Sequence, residues 1–161
     1  MPRNVRTGMI NASVALNIVL AAILVGGLVT FFALSRKMAL RRVKAYTGGA
    51  VPETMDFGVI FYGYSNEKGR LTPRKGVILA TSEALVFISV EIRREVVEIP
   101  WKHLTGWLPV GEFRGRPLHN RILALRIIGD VGVPMDVGFA LPRPEFWTSL
   151  MNIAIKSEKK D

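Results

Sequence analysis

The chain has no cysteine in its 161 residues, which excludes disulfides and thiolate-bound metals and leaves its redox compartment unmarked. It has only two histidines, His103 and His119, in separate segments, so no histidine pair stands at metal-binding spacing. A lone histidine at a strand end (His103) or in a Gly/Arg/Pro loop (His119) reads as a structural or surface residue. No glycine-rich loop ends in Lys-Ser or Lys-Thr, and no nucleophile elbow is present. The stretch Gly111 to Pro117, GEFRGRP, has the glycines and basic residues of a phosphate loop but not that ending. Together these absences predict a non-catalytic protein with no cofactor and no bound metal.

Negative charge is missing from the start of the chain: no acidic residue precedes Glu53. Of 22 Lys and Arg, two (Arg3, Arg6) precede an uncharged stretch and five (Arg36, Lys37, Arg41, Arg42, Lys44) follow it. The remaining 15 face 13 acids, a net of +2 for the rest of the chain. The formal charge of +9 therefore reports the flanks of that stretch, and no nucleic-acid partner is expected. Disorder is disfavoured as well, since 49% of the residues are hydrophobic.

The uncharged stretch is Met9 to Leu34, 26 residues without Asp, Glu, Lys, Arg or His. As a helix it would run about 39 Å, against a bilayer hydrocarbon core of about 30 Å. It reads as a transmembrane helix with room to tilt. The run is longer than a signal peptide's core, and no small-x-small site separates it from the basic cluster, so an uncleaved anchor is expected. Five basic residues after the span against two before it place residues 1–8 outside and the C-terminal domain in the cytoplasm.

Within the span, Ala22, Gly26 and Thr30 recur every four residues and form a stripe of small side chains, a pattern that lets helices approach closely. Ser13, Asn17 and Ala21 make a second row, and an amide such as that of Asn17 seeks a partner in lipid. The alternative is a single-span anchor that tolerates small and mildly polar residues. Residues 35–54 read as a basic juxtamembrane segment followed by a linker containing Gly48, Gly49 and Pro52. The basic part suits anionic headgroups as well as plain topology anchoring.

Residues 55–161 read as mostly β, followed by one helix. Val59 to Tyr64 is rich in strand formers. Val77 to Thr81 and Ala84 to Val90 flank Ser82-Glu83, a tight hairpin. Val97, Ile99 and Trp101 alternate with other residues, as do Leu123, Leu125 and Ile127, then Met135, Val137 and Phe139. Gly129 to Gly132 is a turn signal between the last two runs, and Glu91 to Glu95 a charged connection. This predicts a twisted antiparallel sheet or barrel. Pro142 and Pro144 stop the last strand, and a helix follows with Phe146, Leu150, Ile153 and Ala154 on one face, beside Trp147 and Met151, capping the sheet. Both faces of the hairpin are apolar, Leu85 and Phe87 on one and Val86 and Ile88 on the other. The second face therefore meets a loop of the same chain, another protein, a second copy or the membrane.

The run RKGVILATSEALVFIS, followed by EIPWKHLTGW, resembles the GRAM and bacterial PH-like group of the pleckstrin-homology superfold. The features that carry the resemblance are Gly76, Thr81, Leu85, Phe87, Ile99, Pro100 and Leu104. It spans roughly Phe57 to Ile155. It implies a PH-like sheet capped by a C-terminal helix and carries over no catalytic residue. It also directs attention to the basic loop between the first two strands, Lys68, Arg70, Arg74 and Lys75, whose place matches the phosphate-gripping loop of lipid-binding PH domains. A second basic group is Arg114, Arg116 and Arg121, with Trp107 and Phe113 nearby; guanidinium groups suit phosphate, and aromatics suit a membrane interface. The competing reading of both groups is a solvated, solubilising surface. The expected function is a single-pass, membrane-anchored adaptor that binds membrane lipid or a protein partner, with self-association through the span or sheet face as a further possibility. The alternative is an accessory subunit of a larger membrane complex.

Overall fold

The computed structural model describes the backbone of residues 4–91, 95–129 and 132–158, and side chains from Val14 onward. Ile92-Arg93-Arg94 of the charged connection, Asp130-Val131 of the turn, the tail residues 1–3 and Lys159-Lys160 lie outside the described residues. The chain forms two compact units, residues 1–38 and 39–161.

The first unit is the larger part of helix α1 (Asn4–Tyr46). From Val14 to Leu34 its side chains are exposed, and its mean hydropathy reaches 2.5, so α1 is long and apolar enough to cross a membrane. The helix does not stop after the apolar stretch. It continues through the basic cluster, whose Met, Ala, Leu, Arg and Lys are good helix formers. It ends at Tyr46, and Gly48 just beyond has φ +67, with the Gly49 amide donating to the Lys44 carbonyl at 2.7 Å. Only a residue free of a Cβ adopts that left-handed position cheaply, and the bond satisfies an otherwise orphaned helix carbonyl.

The second unit contains a seven-stranded, wholly antiparallel sheet. Its strands are β1 (Met55–Tyr64), β2 (Arg74–Ala80), β3 (Ala84–Ser89), β4 (Val96–Pro100), β5 (Leu104–Phe113), β6 (Arg116–Ile128) and β7 (Pro134–Ala140). The order is β4-β3-β2-β1-β7-β6-β5, so the first four strands make one meander and the last three another, joined where β7 pairs with β1. β4 and β5 stand at the two ends of that order, and among the described residues no ladder joins them. A single 3-10 turn (Trp101–His103) links β4 to β5, and helix α2 (Pro144–Glu158) follows β7.

The β2–β3 hairpin forms where the alternation predicts it. Thr81 closes it: its hydroxyl donates to the Ala84 carbonyl at 3.1 Å and accepts from the Ala84 amide at 3.0 Å. Leu85 and Phe87 go into the main core, together with Val59, Phe61, Phe139 and Trp147. Each such buried side chain contributes about 1.5–3 kcal/mol. Val86 and Ile88 go to the opposite face with Val77 and Leu79, where they are covered by Ala39 and Val43 from the last turns of α1. The covering element is the helix end, which the sequence had assigned to a juxtamembrane segment and linker.

β5 and the first half of β6 differ from expectation. Gly106, Pro109 and Gly111 interrupt any alternation, and an edge strand tolerates proline because one side of it needs no ladder bonds. The GEFRGRP stretch is the tip of the β5–β6 hairpin. Arg114 and Gly115 have φ of 55 and 70, the pattern of a type I′ turn. Arg occupies a position that usually holds Asn, Asp or Gly, which hides the turn in the sequence, and it places His119 within a strand.

α2 begins at Pro144 as expected, but its inward face is rotated. Trp147 and Met151 are fully buried, with Leu150, Ala154 and Ile155 packed alongside, while Phe146 and Ile153 are exposed. Asp56 on β1 sets this rotation. Its carboxylate accepts from Trp147 Nε1 at 2.7 Å and from Arg143 Nε at 3.0 Å. A buried indole N–H needs such an acceptor, so Trp147 and not Phe146 turns inward.

Candidate functional site

Of the second basic group, Arg114 reaches the β1–β2 loop. Arg114 Nη2 donates to the Gly69 carbonyl at 3.2 Å and to the Glu67 carbonyl, and Nη1 pairs with Glu67 Oε2 at 3.3 Å. Its side chain is only 7% exposed. Arg114 is thus a clasp that ties the tip of the β5–β6 hairpin to the β1–β2 loop, and the unusual left-handed backbone at this residue aims it there.

Arg74 is also committed. It pairs with Glu95 and lies over the Phe61 ring at 5.3 Å. Burial, and after it the carboxylates of Glu95 and Glu67, push the Tyr64 hydroxyl pKa up, while Arg74 opposes them. Lys75 is exposed, and its backbone amide donates to Glu91 Oε1 at 3.0 Å. Lys68, Arg70 and Arg116 are exposed and make no ion pair among the described residues. The arrangement presents Lys68 and Arg70 on a loop held by Arg114, with Arg116 beginning the strand just beyond the clasp. Such a group can attract phosphate or carboxylate.

The aromatics near the second group are used internally. Phe113 is buried against Ile122 and Ala124, and Trp107 donates from Nε1 to Asn152 Oδ1 on α2 at 3.0 Å. Arg121 is exposed on β6. His119 is exposed and His103 is half-buried. Among the described residues no group of three or more His, Cys, Asp or Glu is placed to hold a metal ion.

On α1, Asn17, Ala22, Gly26 and Thr30 are all exposed. The Thr30 hydroxyl donates to the Gly26 carbonyl at 2.8 Å, so it is satisfied without a second helix. A Cβ added at Gly26 meets nothing within 4 Å.

Two contacts in the domain had no signal in the sequence. Arg42 Nη1 donates to the Glu91 carbonyl at 2.7 Å and also to that of Ser89, and the Tyr46 hydroxyl donates to Glu98 Oε1 at 2.8 Å. They fasten the end of α1 over the β3–β4 side of the sheet. Partial burial and the Glu98 carboxylate push the Tyr46 pKa from 10.0 to about 12. Arg42 looked like one more member of a basic run; only its neighbours in space distinguish it.

Compared with known proteins, the chain matches no protein-family model and no curated sequence.

Proposed function

We propose that the chain is a single-pass, membrane-anchored and non-catalytic adaptor, with its N-terminus outside and a PH-like domain in the cytoplasm that binds anionic lipid or a protein partner at the membrane surface. The strand order with β7 returning to β1, followed by a helix packed on the core, supports the PH-like reading. The five basic residues after the apolar stretch support the orientation. The observation that carries the binding reading is the Arg114 clasp, which holds a loop whose exposed cations, Lys68 and Arg70, make no ion pair among the described residues.

Each basic residue near an anionic surface is worth about 1 kcal/mol, so the loop orients a domain that the span already anchors. The test uses a soluble fragment starting at Ala39, which keeps Val43 on the sheet. It should bind vesicles containing anionic lipid better than neutral ones, and the binding should fade as salt rises. Lys68→Glu with Arg70→Glu should abolish it without altering the thermal melt. Indifference of the wild-type fragment to anionic vesicles at low salt would remove the lipid branch.

The second reading, an accessory subunit of a membrane complex, is favoured by the open space around Gly26 on an exposed helix. Purification of the full-length protein in mild detergent separates the two readings, since stable co-migration with other membrane subunits supports the second.

A further inference from the structure

The β1–β2 loop is pinned at two points. Arg114 holds Glu67 and the Gly69 carbonyl, and Leu71 packs into a cluster built on Phe113, Ile122 and Ala124. That cluster lies on the face of β6 opposite the main core, which Leu123 and Leu125 enter. Lys68 and Arg70 alternate with the three anchors and are exposed, so they project away from the domain. Gly69 between them has φ +99, and a Cβ there meets nothing within 4 Å, so the backbone conformation alone favours glycine. The Thr72 hydroxyl donates to the Arg70 carbonyl at 3.3 Å.

Arg116 rises from the same face as the loop. It pairs across the β5–β6 hairpin with Phe113 and stands two residues before Leu118, and both of these belong to the cluster. Glu112 pairs with Pro117 and turns to the other face. Glu67 is paired with Arg114, and Asp136, whose amide accepts a partner in Ser65 at the start of the loop, is paired with Arg126. Lys75 stands elsewhere: it shares with Val77 the face of β2 that the end of α1 covers, beside Glu91. Lys68, Arg70 and Arg116 are thus cations on one side of the domain that make no ion pair among the described residues.

A site that selects one small ligand is concave, with donors converging on it. Arg74 and Arg114, the arginines turned toward the domain, are committed to Glu95 and Glu67. Two clefts of about 380 and 310 Å³ run along α2, and neither is lined by the β1–β2 loop or by Arg116. We propose that Lys68, Arg70 and Arg116 form an outward-facing surface that reads the charge density of an anionic bilayer and does not select a headgroup. The proposal rests on the lipid branch of the proposed function, to which it adds Arg116 and the absence of headgroup selectivity. Separate lipids meet separate cations, and a free polyphosphate finds no enclosing wall.

The test uses the full-length protein in nanodiscs. The chain has no cysteine, so Asn66→Cys, at the exposed start of the loop, carries a single fluorophore. The discs are phosphatidylcholine with a nitroxide-headgroup quencher, alone or with phosphatidylserine, phosphatidylglycerol or phosphatidylinositol bisphosphate at equal total charge. Quenching should rise in every anionic disc, agree within about twofold among the three lipids, and fall back as salt increases. Inositol trisphosphate added at constant ionic strength should not reverse the rise. Lys68→Glu with Arg70→Glu, and Arg116→Glu alone, should each remove about half of the rise or more. Lys102→Glu with Lys156→Glu makes the same change in net charge as the first pair on exposed residues of other surfaces, and should leave most of the rise in place. A rise confined to the bisphosphate discs, reversal by inositol trisphosphate, equal losses in the two pairs, or a full rise in Arg116→Glu overturns the proposal and leaves the lipid reading standing. No rise with any anionic lipid overturns both. All replaced side chains are exposed, and circular dichroism checks that each variant folds.

Discussion

Gly76 illustrates how much one hydrogen atom can decide. A Cβ there would overlap the Ile88 carbonyl oxygen and the Phe87 ring, both in the packed core of the hairpin. Gly76→Ala should therefore destabilise the domain by on the order of 1–3 kcal/mol through overpacking, read as a lower urea midpoint. Gly26 is the opposite case. Because a Cβ there meets nothing, Gly26→Ile carries no steric penalty within its own chain. Weaker self-association or loss of a co-purifying partner would then report a helix–helix contact, and no change would return the stripe to an ordinary anchor. Tyr46 offers a pH readout. Its folded pKa is raised to about 12 from 10.0, so its neutral hydroxyl favours the folded state below pH 10, and this contribution is lost as pH climbs to about 12. Tyr46→Phe should remove that part of the alkaline loss, seen as a flatter dependence of unfolding midpoint on pH between about 10 and 12.

At the scale of elements, the end of α1 belongs to the domain that follows it. Ala39 and Val43 cover Val77, Leu79, Val86 and Ile88, and Arg42 and Tyr46 fasten the helix at its edge. A soluble fragment beginning at Thr47 should therefore expose an apolar face and aggregate, whereas one beginning at Ala39 should remain monomeric by size-exclusion chromatography. Equal solubility of the two would show that the helix end is dispensable. α2 serves the other face. Ending the chain at Leu141 removes Trp147 and Met151 from the core and should prevent cooperative unfolding, because Asp56 then loses both Arg143 and the indole. A milder variant, Phe87→Ala, should cost about 3–5 kcal/mol, as expected for a phenyl ring emptied from a packed core.

At the scale of the whole molecule, charge separates into distinct roles. Most of the net charge of +9 flanks the apolar stretch, while within the domain arginines and carboxylates largely face one another at Arg74–Glu95, Arg114–Glu67, Arg126–Asp136 and Arg143–Asp56. Arg126–Asp136 is the pair on the exposed surface, and such pairs stabilise little, so its removal should change melting temperature only slightly. A reporter placed after Asp161 should give a cytoplasmic signal, and a reporter active only outside the cytoplasm would reverse the proposed topology.

The sequence by itself determined the features that depend on local pattern. An uncharged run long enough for a bilayer, period-two alternation along most strands and a proline-led last helix can each be read without knowing any neighbour. The face split of the hairpin, Leu85 and Phe87 against Val86 and Ile88, was legible for the same reason, since alternate residues on a strand must point apart. Tertiary structure alone decided what covers each face, which side of α2 turns inward and which arginines stay available. Arg42, Arg74 and Arg114 look like Lys68 and Arg70 in the sequence, and their difference lies in carbonyls and carboxylates tens of residues away. β5 was hidden because an edge strand is shaped by its one partner, β6, and not by a hydrophobic period of its own.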